Sequence, residues 1–285
     1  MWVCSELPTA LVASGRTWRL CAGIVGRHSK DSWRESDELG LAALFLLLAT
    51  LCWPAPAHAQ TNEWTWMAGG QVQGQPGVYG NLQAPAAGNV PGSRQGGVTW
   101  TDPNGNLWLF GGYGYDSSGT AGYLNDLWEF KPSTNQWTWI GGSSKVPQAQ
   151  GGQAGVYGTL GAPAAANVPG ARSGAAGWAD KTGNLWLYGG DGFDASGTQG
   201  TLNDLWEFNP STGEWTWMGG NTLVPGLYEG QPGVYGTIGQ PATGNLPGDR
   251  TGAAAWIDKS GNFWLFGGDG EDSTHNSGVF NDLWE

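Results

Sequence analysis

The sequence predicts an all-β fold made of repeated four-stranded antiparallel units, and three observations point to it. The hexapeptide Asn125-Asp126-Leu127-Trp128-Glu129-Phe130 returns intact at 203–208 and begins again at Asn281, a constant spacing of 78 residues. Of 285 residues, 51 are Gly, 16 Pro and 19 Trp, and only 13% are charged. Short apolar runs alternate with tight-turn sequences throughout. A long fixed period sets the architecture, because each unit buries its apolar face only against its neighbours. Abundant indole with little charge is the opposite of a disordered composition.

Taken in order, the chain opens with a leader. Leu41 to Leu51 is an unbroken apolar run, followed by Pro54, Pro56 and the small-x-small site Ala57-His58-Ala59. This predicts a secretory signal over 1–59, cleaved after Ala59, so that the mature protein is exported to the periplasm, cell surface or exterior. The run falls short of the roughly 20 residues a membrane span needs, so no stable span is expected after cleavage. Bulky Leu51 ahead of Cys52 disfavours a lipoprotein site. The forty residues before the run are long for a leader and suggest translation starting nearer Val25. All three cysteines (Cys4, Cys21, Cys52) precede the cut, so packing alone, without disulfides, must stabilise the mature chain.

The first expected strand, over 62–67, centres on Trp64-Thr65-Trp66. The middle repeat then reads as four strands. Ser173 to Asp180 is an extended run of small residues ending in Trp178, and Lys181 to Asn184 is a tight turn. Leu185 to Tyr188 is continuously apolar, as an inner strand covered on both faces should be, and Gly189-Gly190 is expected to end it. A polar loop from Asp191 to Thr201 leads to the hexapeptide strand. The turn 209–214 then feeds Trp215 to Met218. The other units follow suit, with Gly111-Gly112 and Gly267-Gly268 after their second strands and Trp128, Trp206 and Trp284 in their third. The units span about 94–140, 172–218 and 250–285.

An apolar strand ending in Gly-Gly, then Asn-Asp-Leu-Trp-x-Phe, then a Trp after a Pro-Ser-Thr turn resembles the Kelch motif, the blade of galactose-oxidase-type β-propellers. The resemblance covers essentially all of 60–285. It implies a Kelch-type propeller of four-stranded blades (strands A to D), with about three blades present. The period exceeds the roughly 50 residues usual for Kelch, and the excess lies in the D–A connection. Propellers have about four to eight blades, so further blades or a partner are expected to close the ring, and the chain reads as part of a larger propeller.

Blade topology puts the A–B and C–D turns at one end and the B–C and D–A loops at the other. The loop tyrosines Tyr79, Tyr157 and Tyr235 are therefore candidate ligand contacts, although packing of the long loops would also use them. Asp191 with Asp194, and Asp269 with Glu271 and Asp272, are candidate metal ligands by their oxygen-rich clustering; their spacing fits no defined calcium loop, and solvated turns are the plainer reading. Arg94, Arg172 and Arg250 recur after Pro-Gly, which suits a fixed bidentate contact with a carboxylate or with backbone carbonyls better than anion binding. The 15 Trp after residue 60 recur at equivalent strand positions, which favours inter-blade core over sugar stacking.

Charge excludes one class of partner. Five basic and five acidic residues precede position 60, leaving 7 basic and 19 acidic side chains among the repeats. Such a surface repels phosphate backbones, so no nucleic acid is expected. The copper site of galactose oxidase, with its histidines and cysteine–tyrosine crosslink, cannot be carried over to a region with His275 alone and no cysteine, and no cofactor is expected. The reading is a non-catalytic binding or cell-surface scaffold contacting a protein or glycan through its long-loop end. The alternative is a carbohydrate-active or galactose-oxidase-like enzyme whose catalytic residues lie in other blades or domains.

Overall fold

The computed structural model describes residues 63–148 and 151–285. The signal sequence, its cleavage site and the three cysteines lie outside those residues, as does Asn62 of the first expected strand. The repeats form one compact unit, Trp66–Glu285. Every strand pair is antiparallel, and the described residues contain no helix.

The first blade comprises β1 (Arg94–Gln95), β2 (Val98–Thr101), β3 (Leu107–Tyr115), β4 (Ala121–Lys131) and β5 (Gln136–Gly141). Strand A is split, since β1 and β2 both pair with β3 on either side of Gly96. The second blade repeats this with β6 (Arg172–Ser173), β7 (Ala176–Ala179), β8 (Leu185–Phe193), β9 (Gln199–Asn209) and β10 (Glu214–Gly219). In the third, β11 (Ala254–Ile257), β12 (Phe263–Phe266) and β15 (Leu283–Trp284) form a three-stranded sheet, beside a hairpin of β13 (Asp269–Glu271) and β14 (Ser277–Val279).

Three expectations need correction here. The Gly-Gly pair does not end strand B in the first two blades. It is a bulge, with the β8–β9 register shifting between Tyr188 and Gly190 and both glycines at positive φ (65° and 99°). A Cβ on Gly189 would lie 2.7 Å from the carbonyl oxygen of Arg250 in the next blade, so only glycine allows the approach. Past the bulge the supposed B–C loop is also strand, pairing as far as Phe193 with Gln199. Nor do Glu63 to Met67 form a strand. Alternation of Trp and Thr favours an extended chain, but a strand exists only where a neighbour supplies its ladder.

Blades stack face to face through repeated contacts. Val98, Trp100, Trp108 and Phe110 of the first pack on Leu185, Leu187 and Phe208 of the second. Ala176, Trp178 and Tyr188 of the second pack on Leu265 and Phe263 of the third. Near the split in strand A, Gly174 N–H donates to Gly96 C=O at 2.8 Å and Gly252 N–H to Gly174 C=O at 2.7 Å. The Trp100 and Trp178 indoles donate across the same junctions, to the carbonyls of Trp186 and Trp264.

The long D–A connection accounts for the extended period. It runs back along the outer edge of its own blade's strand D, where Ala86 bridges Trp137 and Ala164 bridges Trp215. Asn167 fastens this strap by donating Nδ2 hydrogen bonds to the carbonyls of Ala162 (3.1 Å) and Trp215 (3.0 Å). An exposed outer edge would be a template for pairing with other chains, and the strap covers it.

Candidate functional site

Each strap carries its tyrosine under the blade. The Tyr79 and Tyr157 side chains are buried, and their hydroxyls donate to Asp126 Oδ2 and Asp204 Oδ2, both at 2.6 Å. That corrects the reading of these two as ligand contacts: loop residues in sequence, they are core residues in space. Tyr235 makes the matching bond to Asp282 at 2.7 Å but is half exposed. The same carboxylates receive Arg94, Arg172 and Arg250 as forks, and the indoles of Trp128, Trp206 and Trp284 at 2.7 Å. Each arginine also donates to two backbone carbonyls, Gly170 and Gly189 in the case of Arg172. With no buried side-chain nitrogen or oxygen among the described residues left unpartnered, this Tyr–Arg–Asp–Trp knot locks strap, strand A, bulge and strand C together.

Of the predicted metal ligands, Asp194 and Asp272 close turns, whereas Asp191 and Asp269 line one cleft. Asp194 is buried and accepts from the backbone N–H groups of Ser196, Thr198 and Val224, so its oxygens close a hairpin turn. Asp272 caps the equivalent turn through Thr274 and Asn276. Asp191 accepts from the Tyr123 hydroxyl of the preceding blade. Among the described residues no group of three or more His, Cys, Asp or Glu stands close enough to hold a metal ion.

One place departs from the repeat. Between the hairpin arms of the second and third blades lies a polar cleft of about 250 Å³, lined by Asp191, Asp249, Asp269 and Glu271, with Tyr228 at its edge. Asp249 occupies the position of Ser93 and Ala171, and Glu271 that of Tyr115 and Phe193. Asp249 is 1% exposed, and its side chain receives only the Glu271 N–H, at 3.1 Å. Burial, with the Glu271 carboxylate nearby, pushes its pKa up to about 7. Glu271 in turn accepts from the Gly230 N–H and contacts His275. Tyr228 is exposed and holds φ at +63°, a conformation few bulky residues adopt.

One family model matches within the chain, over the first blade. Residues 94–144 match the model described as Kelch motif. The repeated unit is a Kelch motif. No curated protein matches the chain. Among solved structures, that of YjhT is similar at 17% identity and a TM-score of 0.39, over 68% of this chain and 54% of its own. The chain thus spans about half the length of that structure.

Within the Kelch frame, the residues that repeat serve the blade, and the cleft is where the third unit diverges. Asp249 and Tyr228 escaped the sequence reading. Aligning the units would have singled out Asp249, since a carboxylate replaces a small residue at a blade junction. Tyr228 offers no comparable signal, because its role depends on where the strap turns.

Proposed function

We propose that this chain is an exported, non-catalytic Kelch-repeat binding or scaffold module whose contact surface is the hairpin-arm end of the blades. Kelch blades themselves support a binding or scaffold role. Asp249 carries the choice of surface. A buried carboxylate without a basic partner costs stability, and blades one and two avoid it with Ser93 and Ala171. Four acidic groups around one cleft favour a ligand bearing cationic groups, such as a protein segment with Lys or Arg, over a neutral glycan.

The test is a basic-peptide array and a glycan array probed with the same preparation. Binding to Lys/Arg peptides that weakens with salt and falls at least about tenfold in Glu271→Gln supports the reading. Binding confined to glycans and indifferent to Glu271 overturns the choice of surface. N-terminal sequencing of secreted protein tests export.

A second reading has its own observation. Asp249, held protonated toward neutrality, beside carboxylates that lack that burial is the pairing from which glycoside hydrolysis draws an acid and a base. Release of reducing sugar from a polysaccharide panel, abolished by Asp249→Asn, would favour that enzyme.

A further inference from the structure

The hairpin arms of the second and third blades meet differently from those of the first and second, and the difference is chemical. At the first junction the Phe193 ring lies over Gly152, beside Ala171, and meets Tyr123 edge to face with centroids 5.7 Å apart. One period on, Glu271 stands for Phe193, Asp249 for Ala171 and Thr201 for Tyr123. Two aromatic rings and a methyl group have become two carboxylates and a short hydroxyl side chain. The space they leave is the cleft of about 250 Å³. Asp249 Oδ2 now sits over Gly230, where an added Cβ would collide with it, as a Cβ on Gly152 would with the Phe193 ring.

Asp249 is left half-satisfied. Its Oδ1 accepts the Glu271 N–H, whereas Oδ2 has no hydrogen-bond partner among the described residues. No fully buried side-chain oxygen among them lacks a partner, so Oδ2 opens onto the cleft that Asp249 lines. No ion pair among the described residues reaches Asp249 either. Arg250, next in sequence, is committed to Asp282 and to the carbonyls of Gly248 and Gly267. Glu271 Oε2 accepts from the Gly230 N–H at 3.2 Å, and Oε1 meets the exposed His275 side chain. Asp191 and Asp269 add negative charge to the lining, and the exposed Tyr228 ring stands at its edge.

Building on the cationic-ligand reading above, we propose that the cleft receives one arginine side chain of a partner protein. Its guanidinium bridges Asp249 and Glu271, and its plane rests on the Tyr228 ring. Carboxylates from two separate segments call for a donor that forks. A guanidinium carries five N–H groups in one plane, where an ammonium is a compact point charge. It is also the more weakly hydrated of the two, so it enters a part-closed cleft at lower cost, and its flat face suits an aromatic ring. The chain itself uses this pairing, since Asp126 and Asp204 are each held by an arginine fork. Asp249 is a buried aspartate whose fork no described residue supplies. Free arginine would bring its own carboxylate against four acidic groups, which an arginine within a peptide does not.

Fluorescence anisotropy of the full chain with a labelled tetra-arginine peptide, against its tetra-lysine and tetra-citrulline counterparts, tests this. The arginine peptide should bind at least about tenfold tighter than the lysine peptide, and the neutral citrulline peptide should not bind. Tyr228→Ala should weaken arginine binding about threefold and lysine binding less. Combining Thr201→Tyr, Asp249→Ala and Glu271→Phe gives the second junction the residues that already pack at the first. That variant should lose binding with its circular dichroism unchanged, which guards against a single substitution that fails to fold. Equal affinity for arginine and lysine peptides overturns the guanidinium assignment and leaves the cationic-ligand reading standing. Binding of neither peptide overturns both. Arginine binding that survives the triple variant overturns its placement in this cleft.

Discussion

Arg172 grips both carboxylate oxygens of Asp204, Nη1 lying 2.6 Å from Oδ1 and Nη2 2.8 Å from Oδ2, and neither side chain is exposed. A buried ion pair repays its desolvation only when the remaining lone pairs are satisfied, and here Tyr157 and Trp206 do so. Removing the arginine leaves a charge in the core with two neutral donors. Arg172→Ala should destabilise the chain by about 3–5 kcal/mol. Denaturant titration reads this directly; a loss below about 1 kcal/mol would mean that the knot does not hold the blade.

The same pairing sets the acid limit. For Asp282, burial alone would raise the pKa, but hydrogen bonds from Arg250, Tyr235 and Trp284 outweigh it and hold the group at about 2, against an ordinary 3.8. At Asp204 burial again pushes upward, and the charge and hydrogen bonds of Arg172 overcome it, so that this group is lowered too. A carboxylate depressed in the fold stabilises it above its unfolded pKa, and that contribution disappears as pH falls through the folded value. The melting temperature should therefore drop between pH 4 and pH 2, and Asp282→Asn should flatten part of that drop. Identical slopes in variant and wild type would refute the assignment.

Gly189 offers a test of the blade junction. Its φ is +65°, and the Arg250 carbonyl oxygen lies 2.7 Å from where an alanine methyl would sit, so alanine there is both strained and in collision. Gly189→Ala should cost about 2 kcal/mol or more, since left-handed backbone alone costs an L-residue roughly 1–2 kcal/mol. Gly105→Ala, at a turn with open space around it, carries the strain without the collision and should cost less. Equal losses would show that the bulge needs only its backbone angle.

Much of the fold was legible because its determinants are local. The continuous run Leu185 to Tyr188 reads as an inner strand, the hexapeptide as its neighbour, and Lys181 to Asn184 as the turn before them. What the residues hid depends on distant partners. Glycine reads as a strand breaker, and only the Arg250 carbonyl, from the next blade, makes Gly189 a bulge within a strand. Tyr157 reads as a loop residue because its partner, Asp204, is 47 positions away. The acidic cleft was partly visible through Asp191, Asp269 and Glu271, but Asp249 is one acid among many until its burial is known.

Asn167 reports on the strap. Its Nδ2 ties the strap to itself at Ala162 and to strand D at Trp215, and the side chain is buried. Asn167→Ala leaves the Trp215 carbonyl without that donor and should cost about 1–3 kcal/mol. Loosening should be local, so hydrogen exchange ought to quicken over the strap and β10 while β8 stays protected. Uniform acceleration across the second blade would instead mean that strap and sheet unfold together.

Asp249 should make stability fall as pH rises. Its pKa is raised from an ordinary 3.8 to about 7 by burial, so the fold favours the neutral acid while the unfolded chain ionises freely above 3.8. Between those values the folded state holds the extra proton; its stabilising effect is complete below 3.8 and is lost as pH passes through about 7. Asp249→Asn keeps an oxygen for the Glu271 N–H and never ionises. The variant should match the wild type near pH 4 and melt higher at pH 8, by about 2–4 °C for each kcal/mol relieved in a domain of this size. The same substitution should weaken binding of a cationic ligand, which gains from the ionised form. Higher stability with weaker binding would mark Asp249 as a residue kept for recognition at the expense of the fold, whereas a variant less stable than wild type at pH 8 would assign it a structural role.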